Sequence, residues 1–298
     1  MSEPVAVGLV GAGPWAEIMH APVLAAGPET RLAGIWARRY EQSSALAARH
    51  GVPAFADYEE LLAACEAVAF SVPPDVQAAM GARTAAAGRA LLLDKPIGLT
   101  LEQAEELAAA VDRAGVVTQV VLSNRYRPQV REYLATVAAG PAPVAGRGCI
   151  VTGAFLDGPF ATPWRVEHGA LHDLGPHAFD LIDAALGTIT EVSAAGDPRG
   201  VVQVSCRHEG GAVSQLTLSG AVPMPAGRSL FEVYGPDGAK VIDLGETDSA
   251  AGFATARSEF AAAVRAGTPH PLDVHRALHL QRLIDQALNS LGAAPARG

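Results

Sequence analysis

The sequence predicts an α/β chain in two parts: a doubly wound parallel sheet over residues 1–122, then an α+β domain with an open, largely antiparallel sheet over residues 123–298. Three observations carry this. Six short apolar runs alternate with helical stretches through the first 122 residues. The first run ends in a glycine-rich turn, GAGPWA. Beyond residue 122 the alternation stops, and strand-like runs follow one another across tight turns. Parallel strands are buried on both faces and read as continuous apolar runs, whereas antiparallel strands joined by hairpins need no helix between them.

The elements follow in order. VAVGLVG (5–11) is an unbroken β-branched and apolar strand, and GPWAEIMHAPVLAAG is the helix after it. RLAGIWA (31–37) is the second strand, YEQSSALAARHG a helix, and PAFA a short third strand. DYEELLAAC opens with an acidic cap before its helix. EAVAFSVP is the fourth strand, DVQAAMGARTAAAG a helix, and RALLLDKP the fifth strand. In TLEQAEELAAAVDRAG, Thr100 is a good N-cap, glutamates occupy the first turns and Gly115 lies just past the end. VVTQVVLS closes the series, and six strands in this rhythm make a Rossmann-type domain.

In the second part, NRYRPQVREYLATVAAG (124–140) is a helix and GPAPVAGRG a turn. The runs CIVTGAF, ITEVSAAG, VVQVSCRHEG, AVSQLTLSGAV, SLFEVYG and AKVIDL read as strands, with hairpin signals at EGGA (209–212) and GPDGA (235–239). Two helical stretches remain, GALHDLGPHAFDLIDAALG within the run and DVHRALHLQRLIDQALNSL near the end. Helices are expected on one side of this sheet, and a partner subunit is the obvious cover for the other.

Bulk properties exclude several classes. Apolar residues are 49% and charged residues 18% of the 298, the balance of a globular chain with enough sequence for two cores. A net charge of -9 argues against a nucleic-acid partner. No apolar stretch approaches the ~20 residues that span a bilayer, and the start MSEPVAVGLVGAG has no basic segment of a signal peptide. Cys65, Cys149 and Cys206, odd in number and widely spaced, fit neither a disulfide framework nor a zinc cluster. A cytoplasmic protein with reduced thiols and no membrane partner is expected.

GAGPWA matches G-x-G-x-x-A. Gly11 can take the tight turn, Gly13 has no side chain to block a pyrophosphate, and Ala16 lets the helix pack close, with Pro14 and Trp15 between them. Alone the match is weak, because glycines in turns are common for steric reasons. Between a strand and a helix that open a six-strand series, it points to a dinucleotide. NAD sites usually place an acid at the end of the second strand. This chain instead has Trp36-Ala37-Arg38-Arg39, and an arginine fork there suits a 2′-phosphate, so NADP is favoured over NAD.

Two further stretches carry chemistry. ALLLDKPIGLT ends a core strand on Asp94-Lys95-Pro96, and ligands of open parallel sheets bind beyond the carboxyl ends of the strands. In HDLGPHAFDLID, Asp173 and His177 are four apart and His177 and Asp180 three apart, so on one helix all three share a face. An imidazole flanked by carboxylates is placed for general acid/base work, although such a pair is more often a polar helix face. His168, His172 and His177 lack the spacing of metal ligands, and no metal is expected. His275 and His279 are assigned to a solvated or packed face.

GAGPWA, then DKP, NRYRP, WR and GALHDLGPHAFDLIDAALG, in this order over nearly the whole chain, resemble the Gfo/Idh/MocA oxidoreductase family. The Asp-Lys-Pro and Asp-x-Gly-x-His-x-x-Asp patterns are the most specific parts. The resemblance implies an NAD(P)-dependent dehydrogenase or reductase of sugars, cyclitols or related polyols, commonly a homodimer or homotetramer. It places Lys95 near the nicotinamide and the reacting oxygen, with Pro96 in a cis peptide fixing the turn. His177 exchanges the hydroxyl proton, Asp173 orients substrate or His177, and Asp180 supports the helix. Matching positions suggest cofactor contacts from Ser71, Val72, Pro73, Asp94, Asn124, Trp164 and Arg165. Three features depart from the family: aspartate stands where glutamate is usual at Asp94, glutamine stands at Gln77 where histidine is common, and the approach to the catalytic helix is thinned to EHGALHD. A non-catalytic, dinucleotide-sensing regulator on the same scaffold would need neither Lys95 nor His177.

Overall fold

The computed structural model describes residues 3–292. They form two compact units, one holding the described residues through Val121 together with Phe253–Leu278, the other holding Leu122–Gly252 together with the described residues from His279.

The first unit is built on six parallel strands: β1 (Val5–Val10), β2 (Thr30–Trp36), β3 (Ala54–Phe55), β4 (Ala67–Phe70), β5 (Ala90–Leu93) and β6 (Thr118–Val120). Their order is β3-β2-β1-β4-β5-β6, with every pairing parallel. This is the dinucleotide-binding order, in which the winding reverses between β1 and β4. β1, β4 and β5 are buried at every position, which is why they read as unbroken apolar runs.

The crossovers are α1 (Ala21–Ala25), α2 (Tyr40–His50), α3 (Tyr58–Ala64), α4 (Pro74–Ala86) and α5 (Leu101–Ala114). Asp57 caps α3 by accepting from the Glu59 N–H at 3.0 Å. Thr100 and Gln103 form a reciprocal capping box on α5, and Gly115 ends it in the left-handed conformation. A π-helical turn, Ala16–His20, precedes α1 and turns Met19 and His20 into the interior. Such turns inside α-helices are rare and frequently mark functional sites.

The second unit contains α6 (Pro128–Ala139), β7 (Ala145–Val151), α7 (Pro163–Asp173), α8 (Gly175–Leu186), β8 (Ile189–Gly196), β9 (Val202–His208), β10 (Val213–Ser219), β11 (Arg228–Gly235) and β12 (Gly238–Asp243). The sheet order is β12-β11-β7-β10-β9-β8, and only the β7–β10 pairing is parallel. β9 alternates buried and exposed at each residue, the signature of a sheet covered on one face. The register aligns Ser193, Ser205, Gln215, Arg147, Glu232 and Val241 as one row across the strands.

Two helices extend through the last part of the chain, α9 (Ser249–Ala266) and α10 (Val274–Gly292). The sequence boundary after residue 122 assigns all of this to the second domain, but Phe253–Leu278 packs in the first unit. The physical reason is an unfinished core. Phe260 and Ala261 enter the apolar cluster of β1, β2 and β4, the Gln119 side chain donates to the Ala256 carbonyl at 2.8 Å, and the Val120 N–H donates to the Leu272 carbonyl at 2.7 Å. Arg265 pairs with Glu66, whose carboxylate also accepts from the Ala6 N–H at 2.9 Å.

Three local expectations change. α9 is an additional helix that the sequence reading passed over. β7 begins at Ala145, inside the segment expected to be a turn. The stretch 169–187 is not one helix: α7 starts earlier, at Pro163, bends at Gly169 (φ 73°), and meets α8 at Leu174. A Cβ at Gly169 would lie 2.1 Å from the Pro198 carbonyl oxygen, so only glycine fits that bend.

Candidate active site

Because all six strands of the first unit run the same way, the turns after β1, β2, β4 and β5 gather at one edge of the sheet. Gly11 follows β1 with φ 115°, donates its N–H to the Trp36 carbonyl at 2.9 Å, and would carry a Cβ only 2.1 Å from the Ser71 carbonyl oxygen. The Ser71 N–H returns to the Val10 carbonyl at 2.8 Å, which locks the β1 and β4 turns together. Gly13 faces open space, with nothing within 4 Å of a built Cβ. Ala16 is fully buried behind it, and Trp15 packs edge-on against Phe253 at 5.8 Å. Pro14 and Pro73 are exposed and Val72 is partly buried at this edge. A steric need for glycine at the turn and a vacant approach at Gly13 fit a pyrophosphate.

Arg38 and Arg39 follow β2, both exposed, and the Arg39 side chain donates to Gln42 at 3.0 Å. The Trp36 indole donates to the Ala56 carbonyl at 3.3 Å. After β5, the Lys95–Pro96 peptide is cis, as the resemblance implies. Lys95 is partly buried, and its N–H donates to Asp94 Oδ1 at 2.8 Å. Asp94 Oδ2 meets His20 Nε2 at 3.3 Å. Burial works against the Asp94 charge, yet the His20 hydrogen bond, with the positive charge of His20 and Lys95, holds this carboxyl below the usual carboxylate range. Among the chain's 22 lysines and arginines, Lys95 and Lys240 are the only lysines. A chain that draws nearly all of its lysine and arginine cations from arginine places a compact ammonium at this turn, where a planar fork would present a different shape.

In the second unit two arginines pair with the carboxylates of α7 and α8. Asp173, at the end of α7, pairs with Arg165 at 3.2 Å, and Asp180, in α8, pairs with Arg125 at 3.0 Å. The sequence reading put Asp173, His177 and Asp180 on one helix face with the carboxylates flanking the imidazole. Leu174, at the junction of α7 and α8, keeps right-handed helical backbone (φ -95°, ψ -29°), and each carboxylate has a guanidinium partner. His177 is partly buried in the first turn of α8, one residue after Pro176. The Arg165 guanidinium lies 4.6 Å from the Trp164 ring and 5.6 Å from the Phe160 ring. Asn124 is buried in a 3₁₀ turn, Ser123–Tyr126, with its carbonyl accepting from the Arg127 N–H at 3.1 Å. His279 pairs with Asp183 at 3.1 Å and His275 with Asp112 at 3.0 Å.

Sequence reasoning did not single out His20, Arg125 or Gln77 as site residues. His20 left a signal, an imidazole among the apolar residues of IMHAPVL. Gln77 stands where histidine is common in the family, and its carboxamide is engaged with the backbone of the Lys95 turn.

Residues 5–122 match the oxidoreductase family with an NAD-binding Rossmann fold, and residues 145–240 match the GFO/IDH/MocA C-terminal domain. The chain belongs to this family, and it is an oxidoreductase with a dinucleotide-binding domain. Among curated proteins it is 25% identical to the uncharacterized oxidoreductase ORF334 of Rhizobium meliloti, over 99% of this chain and 98% of that protein. It is 26% identical to the rhizopine catabolism protein MocA of Rhizobium meliloti, over 88% of this chain and 87% of the other. Among solved structures it resembles GenD2 from gentamicin A biosynthesis, in complex with NAD, with a TM-score of 0.87, 26% identity, and 98% and 95% of the two chains covered.

Proposed function

We propose that the protein transfers hydride reversibly between a nicotinamide dinucleotide and a secondary alcohol or ketone of a sugar, cyclitol or related polyol. The observation that supports this most is the turn after β5, where Lys95 stands at the carboxyl edge of the sheet that also carries the Gly11 and Gly13 turn. The nicotinamide supplies or accepts the hydride. Lys95 holds the substrate oxygen and stabilises negative charge as it develops there. His177 takes the hydroxyl proton in oxidation and returns it in reduction. Asp173, paired with Arg165, keeps substrate or imidazole oriented. Gly11, Gly13, Pro14, Trp15, Ala16, Ser71, Val72, Pro73, Asp94, Asn124, Trp164 and Arg165 are assigned to the cofactor. Arg38 and Arg39 follow β2 without an intervening acid, which favours NADP.

The outward face of the second sheet, with the row from Ser193 to Val241, is assigned to contact between copies of the chain. Light scattering at micromolar concentration should then give a dimer or tetramer; a monomer contradicts it.

The reaction is tested by fluorescence titration with NAD(H) and NADP(H), then by turnover on a panel of polyols and ketoses. Saturable binding of one dinucleotide and turnover of at least one panel member are expected. Binding without turnover of any member, with Lys95 and His177 intact, would favour the regulator.

A further inference from the structure

The peptide ladder of β5 stops at Leu93, the last residue paired to β6. One residue on, the strand's role passes to a side chain. Gln77, on α4 and 1% exposed, accepts from the Asp94 N–H at 2.8 Å and donates to the Asp94 carbonyl at 2.7 Å. Its amide nitrogen also lies 3.3 Å from the Pro96 carbonyl. A carboxamide carries the same donor and acceptor as a peptide group, so Gln77 pairs with Asp94 much as a neighbouring strand would. On the other side, His20 projects from the π-helical turn onto the Asp94 carboxylate, whose second oxygen accepts from the Lys95 N–H. Thus Asp94 is gripped at its N–H, its carbonyl and both carboxylate oxygens, and Lys95 is the next residue.

We propose that Gln77 and His20 are positioning residues that fix the orientation of Lys95, an inference that rests on Lys95 acting in the reaction. Gln77 sets the backbone of the turn, and His20 sets the carboxylate that holds the Lys95 N–H. Because His20 belongs to the helix behind the Gly11–Gly13 turn, the phosphate end of the dinucleotide site and the lysine turn share one buried support. A purely structural role would stabilise the unit as a whole; a positioning role changes Lys95 in particular.

Two lysines make this measurable without any substrate. The full-length protein is treated with limiting trinitrobenzenesulfonate, and the rates at Lys95 and Lys240 are read by peptide mass spectrometry, Lys240 serving as the reference. In Gln77→Met, which keeps the shape and removes all three hydrogen bonds, the Lys95 to Lys240 rate ratio is expected to rise about tenfold, equivalent to ~1.4 kcal/mol. Gln77→Asn and His20→Asn carry the same test should Gln77→Met fail to fold. An unchanged ratio in a folded variant, or an equal rise at both lysines, overturns the proposal. With a turned-over panel substrate, Gln77→Met should lower kcat, leave the cofactor Kd within about twofold, and add no further loss in a Lys95→Met background. Additive losses would instead mark a general structural effect and overturn it. Full turnover in Lys95→Met would remove the lysine from the reaction, while the labelling ratio would still decide whether Gln77 and His20 set its orientation.

Discussion

The two units hold the side chains proposed for catalysis, Lys95 and His177, by different means. In the first, Lys95 is supported by a neutral carboxamide, an imidazole and one carboxylate, all aimed at backbone or at Asp94. In the second, the helix of His177 is tied through two arginine–carboxylate pairs, Arg165 with Asp173 and Arg125 with Asp180. The Gln77 dipole packed against backbone fixes position with little sensitivity to charge, whereas a buried ion pair holds firmly only while both partners remain. Mutation should therefore affect the two halves in different ways.

The largest expected effect is on chemistry. His177→Ala should lower kcat by about 10²–10⁴, the range of general acid/base catalysis, with cofactor affinity nearly intact. Steady-state kinetics with a panel substrate checks this, and an unchanged kcat excludes the imidazole. Next is stability in the second unit. Arg125→Met leaves Asp180, whose side chain is 2% exposed, without its guanidinium, at a cost of about 3 kcal/mol in urea denaturation. If the loss matched that of an exposed pair such as Arg83–Glu59, the contrast between the halves would collapse. Gly11→Ala, forced to φ 115° against the Ser71 carbonyl, should fold poorly or lose dinucleotide binding, read by fluorescence titration.

Smaller effects sharpen the comparison. The Asp94 carboxyl is depressed in the folded protein, so it contributes stability above its unfolded value near ~3.9 and loses it as pH falls through the folded value. Asp94→Asn should flatten that acid limb while leaving the slope above pH ~5 unchanged. Arg38→Ala should weaken NADP(H) by about tenfold, ~1.4 kcal/mol, and leave NAD(H) alone. Equal loss for both would defeat the 2′-phosphate assignment.

Much of the fold was legible because β1, β4 and β5 are buried on both faces and leave unbroken apolar runs. The alternation of β9 and the glycines of the hairpin turns marked the second sheet in the same way. What stayed hidden lacks a periodic trace. The packing of Phe253–Leu278 in the first unit depends on which core has room for Phe260, and nothing in a helix pattern carries that address. The alanine-rich α9 has little contrast between its faces to announce it. Lys95, His177 and the glycine turn stood out by residue type and context. Gln77, His20 and Arg125 did not, because a side chain bonded to distant backbone or to a distant carboxylate leaves no spacing rule in the sequence.

The most direct test of the account measures one variant twice. Lys95→Met is titrated with the preferred dinucleotide by fluorescence and then assayed for the appearance of reduced nicotinamide with a panel substrate. The account predicts cofactor affinity close to that of the unaltered protein and turnover lower by about 10²–10³. Turnover that survives the substitution at full rate would contradict it.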